Sequence, residues 1–440
     1  MFEYIFLLAI YCGLLAYILV KNKRDSFSPP VLFVITMSFY TLPDMFSILD
    51  VGINQYTSEL PFKFALEPKF AICRFMFIQI AFISAYYSSY KYSVARPMKT
   101  DLKKTFVAGN KYANILLAVA IILLCVYGTI NYYMQRGGLL AVFMSFTNRE
   151  ELTEEAGFLM TIIPSLMTFA LAFGMKYCSQ KIGSHRLLYT IFVLLGFFTL
   201  TSGGGRSAFV VYVLSLFCYY HIWIKKVDLF SVRLLPLYCG LALFIIVFQL
   251  LRFEQTNDLS DLGELSNSEA LFNSMAYMKT QLLIQNYFDN HSFWYGRIYT
   301  FLLYIFIPRS LYPSKPFIDD GSYIYNMLDN PVDVLSTNYF YNSWPPFTYG
   351  ISYANFGFIG VILGGVIIGY IHSYIYRRVN GNKESLLNVV LYIFLVLKFQ
   401  LTIYYIANLS YLLIQCWLFR KLYTIINRLK KCKNENNITN

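Results

Sequence analysis

The feature that most constrains this chain is a repeated run of about 20 apolar residues, the length of a helix that crosses a membrane. Helix breakers and charged residues interrupt these runs. They occupy most of a 440-residue chain in which 57% of the residues are hydrophobic and only 14% are charged. A soluble globule of this size could not cover its surface with so few charges. The pattern therefore predicts an all-α polytopic membrane protein.

The boundaries of the apolar runs predict about 11 transmembrane helices, which places the two termini on opposite sides of the membrane. The number of spans is undecided in two regions. Either arm of 187–224 is barely long enough to cross, and 386–422 could form two spans or a deformed pair. The first run has no basic n-region or cleavage site, so it is interpreted as a retained span and not as a signal peptide. The predicted spans are residues 2–20, 30–49, 70–90, 112–133, 157–175, 187–202, 207–224, 234–251, 351–371, 386–405 and 407–422.

The distribution of lysine and arginine predicts the orientation. Six predicted connections on one side hold 24 of the 36 basic residues and only five acidic ones. Short loops rich in lysine and arginine stay in the cytoplasm, so the N-terminus is expected outside and the C-terminus inside. The net charge of +12 then reflects basic cytoplasmic loops, which can contact anionic lipid. Nucleic acid is not needed to explain it.

The longest connection is the part of the chain where polar residues concentrate. The predicted organisation is helices 1–8 in residues 1–251, a large extracytoplasmic loop in 252–350, helices 9–11 in 351–422 and a basic cytoplasmic tail in 423–440. Within the loop, ALFNSMAYMKTQLLIQNYF has helical spacing, and RIYTFLLYIFIP is too short to span, which favours an interfacial or re-entrant helix. A loop this long in a compact protein is usually functional.

Five arginines and lysines on the predicted outer side are candidates for binding an anionic group. In FIPRSLYPSKPFIDDGSY, three prolines stiffen the backbone that carries two of them, and the glycines of TSGGGRS allow close approach to a ligand beside a third. An arginine there fits a phosphate through two parallel hydrogen bonds. The alternative is that these side chains reach lipid head groups from helix edges. The candidates are Arg206, Arg309, Lys315, Arg252 and Arg297.

Other loop residues are candidates for proton transfer and for sugar binding. Asp319, Asp320 and Glu254 could act as a general base for a sugar hydroxyl or form structural ion pairs. His291 is the only histidine predicted outside and is a possible proton carrier. The rings of Trp344 and Tyr349 could stack on sugars or belong to an interfacial aromatic girdle.

The eight cysteines carry no further signal. They lie in or beside apolar segments without metal-ligand spacing, and small apolar packing is the expected role. No metal site and no cofactor is predicted.

Three motifs in order resemble the bacterial O-antigen and capsular oligosaccharide repeat-unit polymerases. They are GGGRS, IPRSLYPSKP and PPFTYGISYANFGFIGVILGG, and the resemblance covers Thr201 to Gly369. It implies that Arg206, Arg309 and Lys315 bind a diphosphate. The chain departs from many members at GGGRS, where they have a serine or arginine before the glycine. The resemblance also matches the tyrosine-asparagine-phenylalanine-glycine stretch of the family to Tyr353, Asn355, Phe356 and Gly357, and Tyr353 and Asn355 become candidates for glycan binding.

The resemblance implies a glycosyltransferase of the bacterial inner membrane. It would move a growing glycan from undecaprenyl diphosphate to the non-reducing end of a new lipid-linked repeat unit on the outer face. Its partners would be the carrier-linked oligosaccharide, membrane lipids, a chain-length regulator and a flippase, and no nucleic acid.

Two rival functions share parts of this pattern. An O-antigen ligase has a long outer loop and outer arginines but transfers the glycan to another acceptor. A lipid-linked oligosaccharide flippase or other transporter would be expected to carry charges within several spans, whereas only Asp44, Arg74 and Lys398 lie clearly inside predicted spans here.

Overall fold

The structure is a computed structural model that describes residues 1–58, 60–96, 111–135, 138, 157–178, 183–201, 206–236, 238–240, 243, 277–307, 311–316, 318–328 and 343–436. These residues form α-helices, short 3-10 helices and connections, with no strand among them. The predicted all-α class is confirmed. The chain divides into two compact units: unit 1 is Met1–Pro97, Asp228–Tyr376 and Leu395–Ala407, and unit 2 is Met98–Val227, Arg377–Phe394 and Asn408–Asn440.

Thirteen α-helices are described in these ranges, together with 3-10 helices at Val232–Leu234, Arg297–Tyr304 and Asn326–Leu328. In chain order the α-helices are α1 (Phe2–Asn22), α2 (Pro29–Val51), α3 (Ile53–Ser58), α4 (Pro68–Ala95), α5 (Lys111–Met134), α6 (Gly157–Cys178), α7 (Gly183–Thr201), α8 (Arg206–Trp223), α9 (Met278–Asn290), α10 (Asp320–Tyr325), α11 (Thr348–Gly381), α12 (Leu386–Leu397) and α13 (Ile403–Asn436).

Four helices of the described part, α1, α2, α4 and α11, are long and apolar enough to cross a membrane, by length and composition. They correspond to the predicted spans 2–20, 30–49, 70–90 and 351–371. Shorter apolar helices cover Ala118–Met134, Leu166–Lys176, Tyr189–Leu200, Phe209–Trp223 and Leu386–Leu397. These helices are consistent with a membrane protein. Most of the predicted span 234–251 lies outside the described residues.

In unit 1, α1, α2 and α4 pack together around buried tyrosines. The Tyr4 hydroxyl donates to the Met45 carbonyl at 2.6 Å, and the Tyr11 hydroxyl lies 2.7 Å from Thr41 Oγ1. Prolines begin α2 and α4, where the missing backbone donor costs no helical hydrogen bond. The helices therefore start at positions that the sequence marks, and the hydroxyls of Tyr4 and Tyr11 are paired.

Helix α11 contains a reversal of chain direction. The backbone leaves helical geometry at Phe356 (φ −142°, ψ 19°) and Gly357 (φ 60°, ψ −147°). A Cβ atom on Gly364 would lie 2.5 Å from Ser352 Oγ and 3.5 Å from Thr348 Cγ2. In a continuous helix, residues 12 and 16 positions apart are separated by about 18 and 24 Å. The residues before the break therefore fold back on those after it.

The reversal divides α11 into a short arm, Thr348–Asn355, and a long arm, Phe358–Gly381. The long arm also packs closely against α4, because a Cβ on Gly365 would lie 2.6 Å from the Phe82 carbonyl oxygen. The predicted span 351–371 thus runs across the reversal. Only the long arm, with 24 residues, has the length of a spanning helix.

A second interruption separates α12 from α13. Helix α12 ends at Leu397, and α13 begins at Ile403, so residues 398–402 are not helical. The Leu401 amide donates to Thr348 Oγ1 at 3.1 Å, and the Leu401 carbonyl accepts from the Tyr299 hydroxyl at 2.9 Å. The predicted span 386–405 therefore contains a helix break, and α13 continues into the predicted tail as far as Asn436.

In unit 2, α5 packs on α6, α6 on α7 and α7 on α8. The buried Lys176 of α6 forms an ion pair with Glu384 at 3.1 Å. Near it, the Trp223 indole donates to the Lys383 carbonyl at 2.7 Å. These contacts tie residues 383–384 to the helices of this unit.

Candidate functional site

The tip of the α11 reversal is hydrogen-bonded to the turn that follows α9. The amides of Trp294 and Tyr295 donate to the carbonyls of Ala354 and Asn355 at 2.9 and 3.0 Å. The Gly296 amide donates to Asn355 Oδ1 at 2.9 Å. These carbonyls have no next helical turn to bond because the chain reverses. The turn therefore replaces the partners that the reversal removes.

Asn355 and Gly357 fit this junction closely. Asn355 is 0% exposed, and its Nδ2 donates to the Ile351 carbonyl at 2.8 Å. Gly357 has a positive φ that favours glycine, and a Cβ there would lie 2.9 Å from the Phe293 ring. The tyrosine-asparagine-phenylalanine-glycine stretch is thus a structural junction between α11 and the segment after α9.

Helix α9 is bound to α4 by a bidentate ion pair. Arg74 Nη1 and Nη2 donate to the two Asp289 carboxylate oxygens at 2.6 and 2.8 Å, and Arg74 Nε donates to Gln285 Oε1 at 3.2 Å. The two charged side chains are 20% and 16% exposed. The Tyr353 hydroxyl interacts electrostatically with both charges. This cluster therefore connects α4, α9 and the short arm.

The other end of α9 is held by a carboxylate from α2. Asp44 Oδ2 accepts from the Met278 amide at 2.9 Å, and Oδ1 accepts from the Tyr56 hydroxyl at 3.1 Å. A carboxylate is favourable at a helix N-terminus, where amides lack partners. Both ends of α9 are thus fixed by charged side chains of α2 and α4.

Buried polar side chains lie between α4, α9 and the short arm. The Tyr349 hydroxyl lies beside the Gln79 amide, yet neither group reaches hydrogen-bond geometry with the described residues. The Gln281 amide packs against Gly350, where a Cβ would lie 2.0 Å from its Oε1. The interior next to the short arm is therefore polar.

The candidate carboxylates of the loop each bind a helix N-terminus. Asp319 Oδ1 accepts from the Gly321 amide and Oδ2 from Ser322 Oγ, both at 3.1 Å, which caps α10. Asp320 is 1% exposed, and its Oδ2 accepts from the Tyr404 amide at 3.3 Å. Burial, followed by the charge of Asp319, raises the pKa of Asp320 well above its usual range. Both carboxylates have positions that support helices.

The candidate Lys315 also binds backbone groups. Its Nζ donates to the Ile307 carbonyl at 2.8 Å and to the Ile305 carbonyl at 3.4 Å. These carbonyls follow the 3-10 helix Arg297–Tyr304, so the ammonium group caps it. No ion pair joins Lys315 to Asp319 or Asp320 among the described residues.

His291 and Arg297 lie exposed on either side of the junction turn. His291 Nδ1 lies 2.8 Å from the Tyr287 carbonyl, and the two rings stack with centroids 4.0 Å apart. A carbonyl can only accept, so Nδ1 carries the proton and Nε2 of the neutral ring is an acceptor. Arg297 follows Gly296 directly, and its guanidinium group is accessible.

The aromatic candidates differ in accessibility. Trp344 packs edge-to-face on Tyr325, with Lys279 Nζ 4.9 Å from its ring centroid, and it keeps part of its ring accessible. Tyr353 is 9% exposed and Tyr349 is 1% exposed. A ligand at the surface can therefore reach Trp344, whereas Tyr353 and Tyr349 are buried.

Four candidates lie wholly or partly outside the described residues. Arg252, Glu254 and Arg309 are outside them, and so is the side chain of Arg206, whose backbone begins α8. The described part of the chain therefore brings together His291, Arg297, Tyr353 and Asn355 around the junction.

Sequence reasoning missed the ion pair of Arg74 with Asp289. Two signals could have found it. An arginine within an apolar span is costly unless it is paired, and Gln281, Gln285 and Asp289 repeat every four residues along one face of α9.

The described residues contain no group of three or more histidine, cysteine, aspartate or glutamate side chains that could hold a metal ion. Comparison with family models, curated proteins and solved structures gives no match to this chain.

Proposed function

We propose that the protein is a polysaccharide repeat-unit polymerase of the bacterial cytoplasmic membrane. It transfers a growing glycan from undecaprenyl diphosphate to the non-reducing end of a new lipid-linked repeat unit. The proposal places the segment 252–350 and the N-terminus on the outer face and the C-terminus in the cytoplasm.

The observation that carries the proposal is the junction of Trp294–Gly296 with Ala354–Asn355. Its three hydrogen bonds join the loop to the YANFG stretch, one of the motifs that carry the family resemblance. The junction also places Arg297 next to that stretch. The three hydrogen bonds hold the backbone of the segment that carries the cation Arg297 and the possible base His291, and catalysis by positioning needs such a fixed backbone.

Arg297 is the described cation best placed to hold the diphosphate. The bond from the anomeric carbon to the phosphate oxygen breaks in the reaction, and negative charge develops on the leaving diphosphate. A guanidinium group that binds this charge lowers the barrier. Arg74 is already occupied by Asp289 and therefore positions α9. Arg206, Arg252, Arg309 and Lys315 remain candidates for further phosphate contacts.

His291 is the best described candidate for the general base. The acceptor hydroxyl attacks the anomeric carbon, and its proton moves to His291 Nε2, which the Nδ1 hydrogen bond to Tyr287 leaves unprotonated. The oxygens of Asp319 and Oδ2 of Asp320 are engaged at helix ends. Glu254 remains an alternative. Trp344, which is partly exposed, offers ring surface to the glycan.

The test measures glycan length on cells that lack the chain and carry wild type, Arg297→Gln, His291→Ala or Arg233→Gln at matched membrane levels. Arg233→Gln is the control, since it removes one exposed arginine from the 3-10 helix Val232–Leu234. Wild type and the control should restore a ladder. Arg297→Gln should leave mostly single repeat units. His291→Ala should slow polymerisation about 10²-fold or more, the usual contribution of a general base.

The same cells separate the rival functions. A missing polymerase leaves single carrier-linked units on the outer face, whereas a missing flippase leaves them on the inner face. A missing ligase leaves a carrier-linked ladder that is not attached to its final acceptor. A ladder that persists in cells lacking the chain would contradict the proposed function.

A further inference from the structure

A cavity lies within unit 1 at the Thr348 end of the short arm. The volume open to the centres of water-sized molecules is about 40 Å³. One water needs roughly 10–15 Å³, so the cavity has room for several. The room suits a group as small as a phosphate. Parts of α2, α4, both arms of α11 and the interruption between α12 and α13 line it.

Lys398 is the only Lys, Arg, Asp or Glu residue that lines this cavity. It has no hydrogen-bond or ion-pair partner among the residues that the structure describes, and no carboxylate is in the lining. An ammonium group among apolar side chains is costly unless an anion or water compensates it. The protein itself supplies no such anion in the described lining.

The neighbouring polar groups reinforce the preference for an anion. Thr348 Oγ1 accepts the Leu401 amide, so its own hydroxyl hydrogen is available to donate. His372 Nε2 donates to the Leu395 carbonyl at 2.9 Å, and Nδ1 accepts from the Tyr86 hydroxyl at 3.1 Å. Both ring nitrogens of His372 are therefore engaged by the protein's own groups. The cavity offers donors to an anion and adds no competing negative charge.

Most of the remaining lining is apolar, and Thr36 and Gln400 are its other polar residues. The apolar lining consists of phenylalanine rings from four segments and of aliphatic side chains, and it includes Phe33, Met37, Phe82, Phe347, Ile368, Val396 and Phe399. A hydrocarbon chain would replace water at such walls favourably. The cavity thus has one basic residue among mainly apolar walls, which matches a phosphate group carried on a hydrocarbon chain.

We propose that this cavity binds the phosphate group of a membrane amphiphile, with Lys398 as its counter-ion. A lysine acts as a point charge toward phosphate, which has several acceptor oxygens for the lysine and the threonine hydroxyl. None of the lining residues belongs to the junction of the proposed transferase site, so this binding site goes beyond the proposed function and does not depend on it.

The first experiment uses the purified full-length protein in a neutral detergent, with dodecyl phosphate as the probe and the thermal shift as the readout. Losing a charged hydrogen bond should weaken the apparent affinity of Lys398→Gln by about 10-fold or more. Lys398→Arg should stay within about threefold, since the charge is kept. Lys225→Gln, which removes an exposed lysine, should bind like wild type.

Parallel titrations identify the source of the phosphate. Inorganic phosphate and dodecyl trimethylammonium should each shift the wild-type melting temperature far less than dodecyl phosphate. An equal shift by inorganic phosphate would assign the site to a free anion and overturn the amphiphile. An equal shift by the cationic probe, or wild-type affinity in Lys398→Gln, would overturn the role of Lys398.

A second measurement needs only the wild-type protein, in case a variant fails to fold. An amine-acylating reagent is applied with and without dodecyl phosphate, and the modified lysines are quantified by peptide mass spectrometry. The probe should protect Lys398 several-fold and leave Lys225 unchanged. Equal modification of Lys398 with and without the probe would contradict the proposal.

Discussion

The two ends of the short arm of α11 are built in opposite ways. At the tip, Asn355 and the neighbouring carbonyls find partners in the turn after α9, and nearby Arg74 has Asp289. At the other end, Thr348 borders a cavity that contains Lys398 without a counter-ion among the described residues. At the tip, the polar groups are paired with other groups of the protein. At the Thr348 end, hydrogen-bond donors remain available to a ligand.

This difference indicates which charges build the fold and which await a ligand. A paired charge fixes two helices relative to each other, and its removal exposes the partner to an apolar environment. An unpaired charge contributes no such link, so its removal should leave the fold intact and change only what binds. The following predictions test this contrast, from the largest expected effect to the smallest.

Gly357→Ala should cause the largest loss of stability. The positive φ and the close Phe293 ring oppose a side chain at the tip, and strain with overlap should cost about 3 kcal/mol. Gly13→Ala is the control, because Gly13 lies in α1 with no atom within 4 Å of an added Cβ and should gain about 0.5–1 kcal/mol. The measurement is the free energy of unfolding in mixed detergent. Equal stability of the two variants would contradict the close packing of Gly357 against the Phe293 ring.

Arg74→Met should lower the free energy of unfolding by about 2–3 kcal/mol, because it leaves the partly buried Asp289 without its partner. The double variant Arg74→Met/Asp289→Asn should lose less than the sum of the two single variants, with a coupling of about 1–2 kcal/mol. The same unfolding assay checks both values. Strict additivity would mean that the pair does not link α4 to α9.

Asp320→Asn should remove part of the pH dependence of stability. Burial raises the pKa of the Asp320 carboxyl. The stability that this shift contributes is therefore fully present below the pKa of about 4 that the carboxyl has in the unfolded chain. It is lost as the pH rises toward the folded pKa, by at most about 1.4 kcal/mol per pH unit. Melting temperatures at several pH values above 4 should therefore fall less steeply in Asp320→Asn. The exposed Asp50→Asn variant should keep the wild-type slope.

Lys398→Met should have the smallest effect on stability without ligand, within about 0.5 kcal/mol or slightly favourable, because an uncompensated charge leaves apolar surroundings. Unfolding of the lipid-depleted protein measures it beside Arg74→Met. A loss as large as that of Arg74→Met would break the contrast between the two ends.

Much of the fold could be predicted from local sequence. Apolar run length identified α1, α2 and α4 within a few residues, since a spanning helix needs a continuous apolar stretch. Apolar residues at helical spacing identified the segment that contains α9. Prolines stand at the starts of α2 and α4, just before the predicted spans 30–49 and 70–90.

The reversal of α11 and the partners of the charged side chains could not be predicted in this way. Mean hydropathy over 351–371 carries no information about the direction of the chain. The reversal depends on contacts between Gly364 and Ser352. Likewise, Arg74 and Asp289 are 215 positions apart, and only tertiary packing pairs them. The proline segment suggested a free cation in Lys315, yet its own carbonyls occupy that charge.

The reversal of α11 also has a consequence for how the chain is made. The short arm, about 12 Å long, leaves the ribosome before the long arm and cannot cross a hydrocarbon layer of about 30 Å by itself. It finds its place only after Gly360 and Gly364 have emerged to provide a surface without side chains. Packing of the short arm is thus a step of tertiary folding that follows synthesis of the long arm.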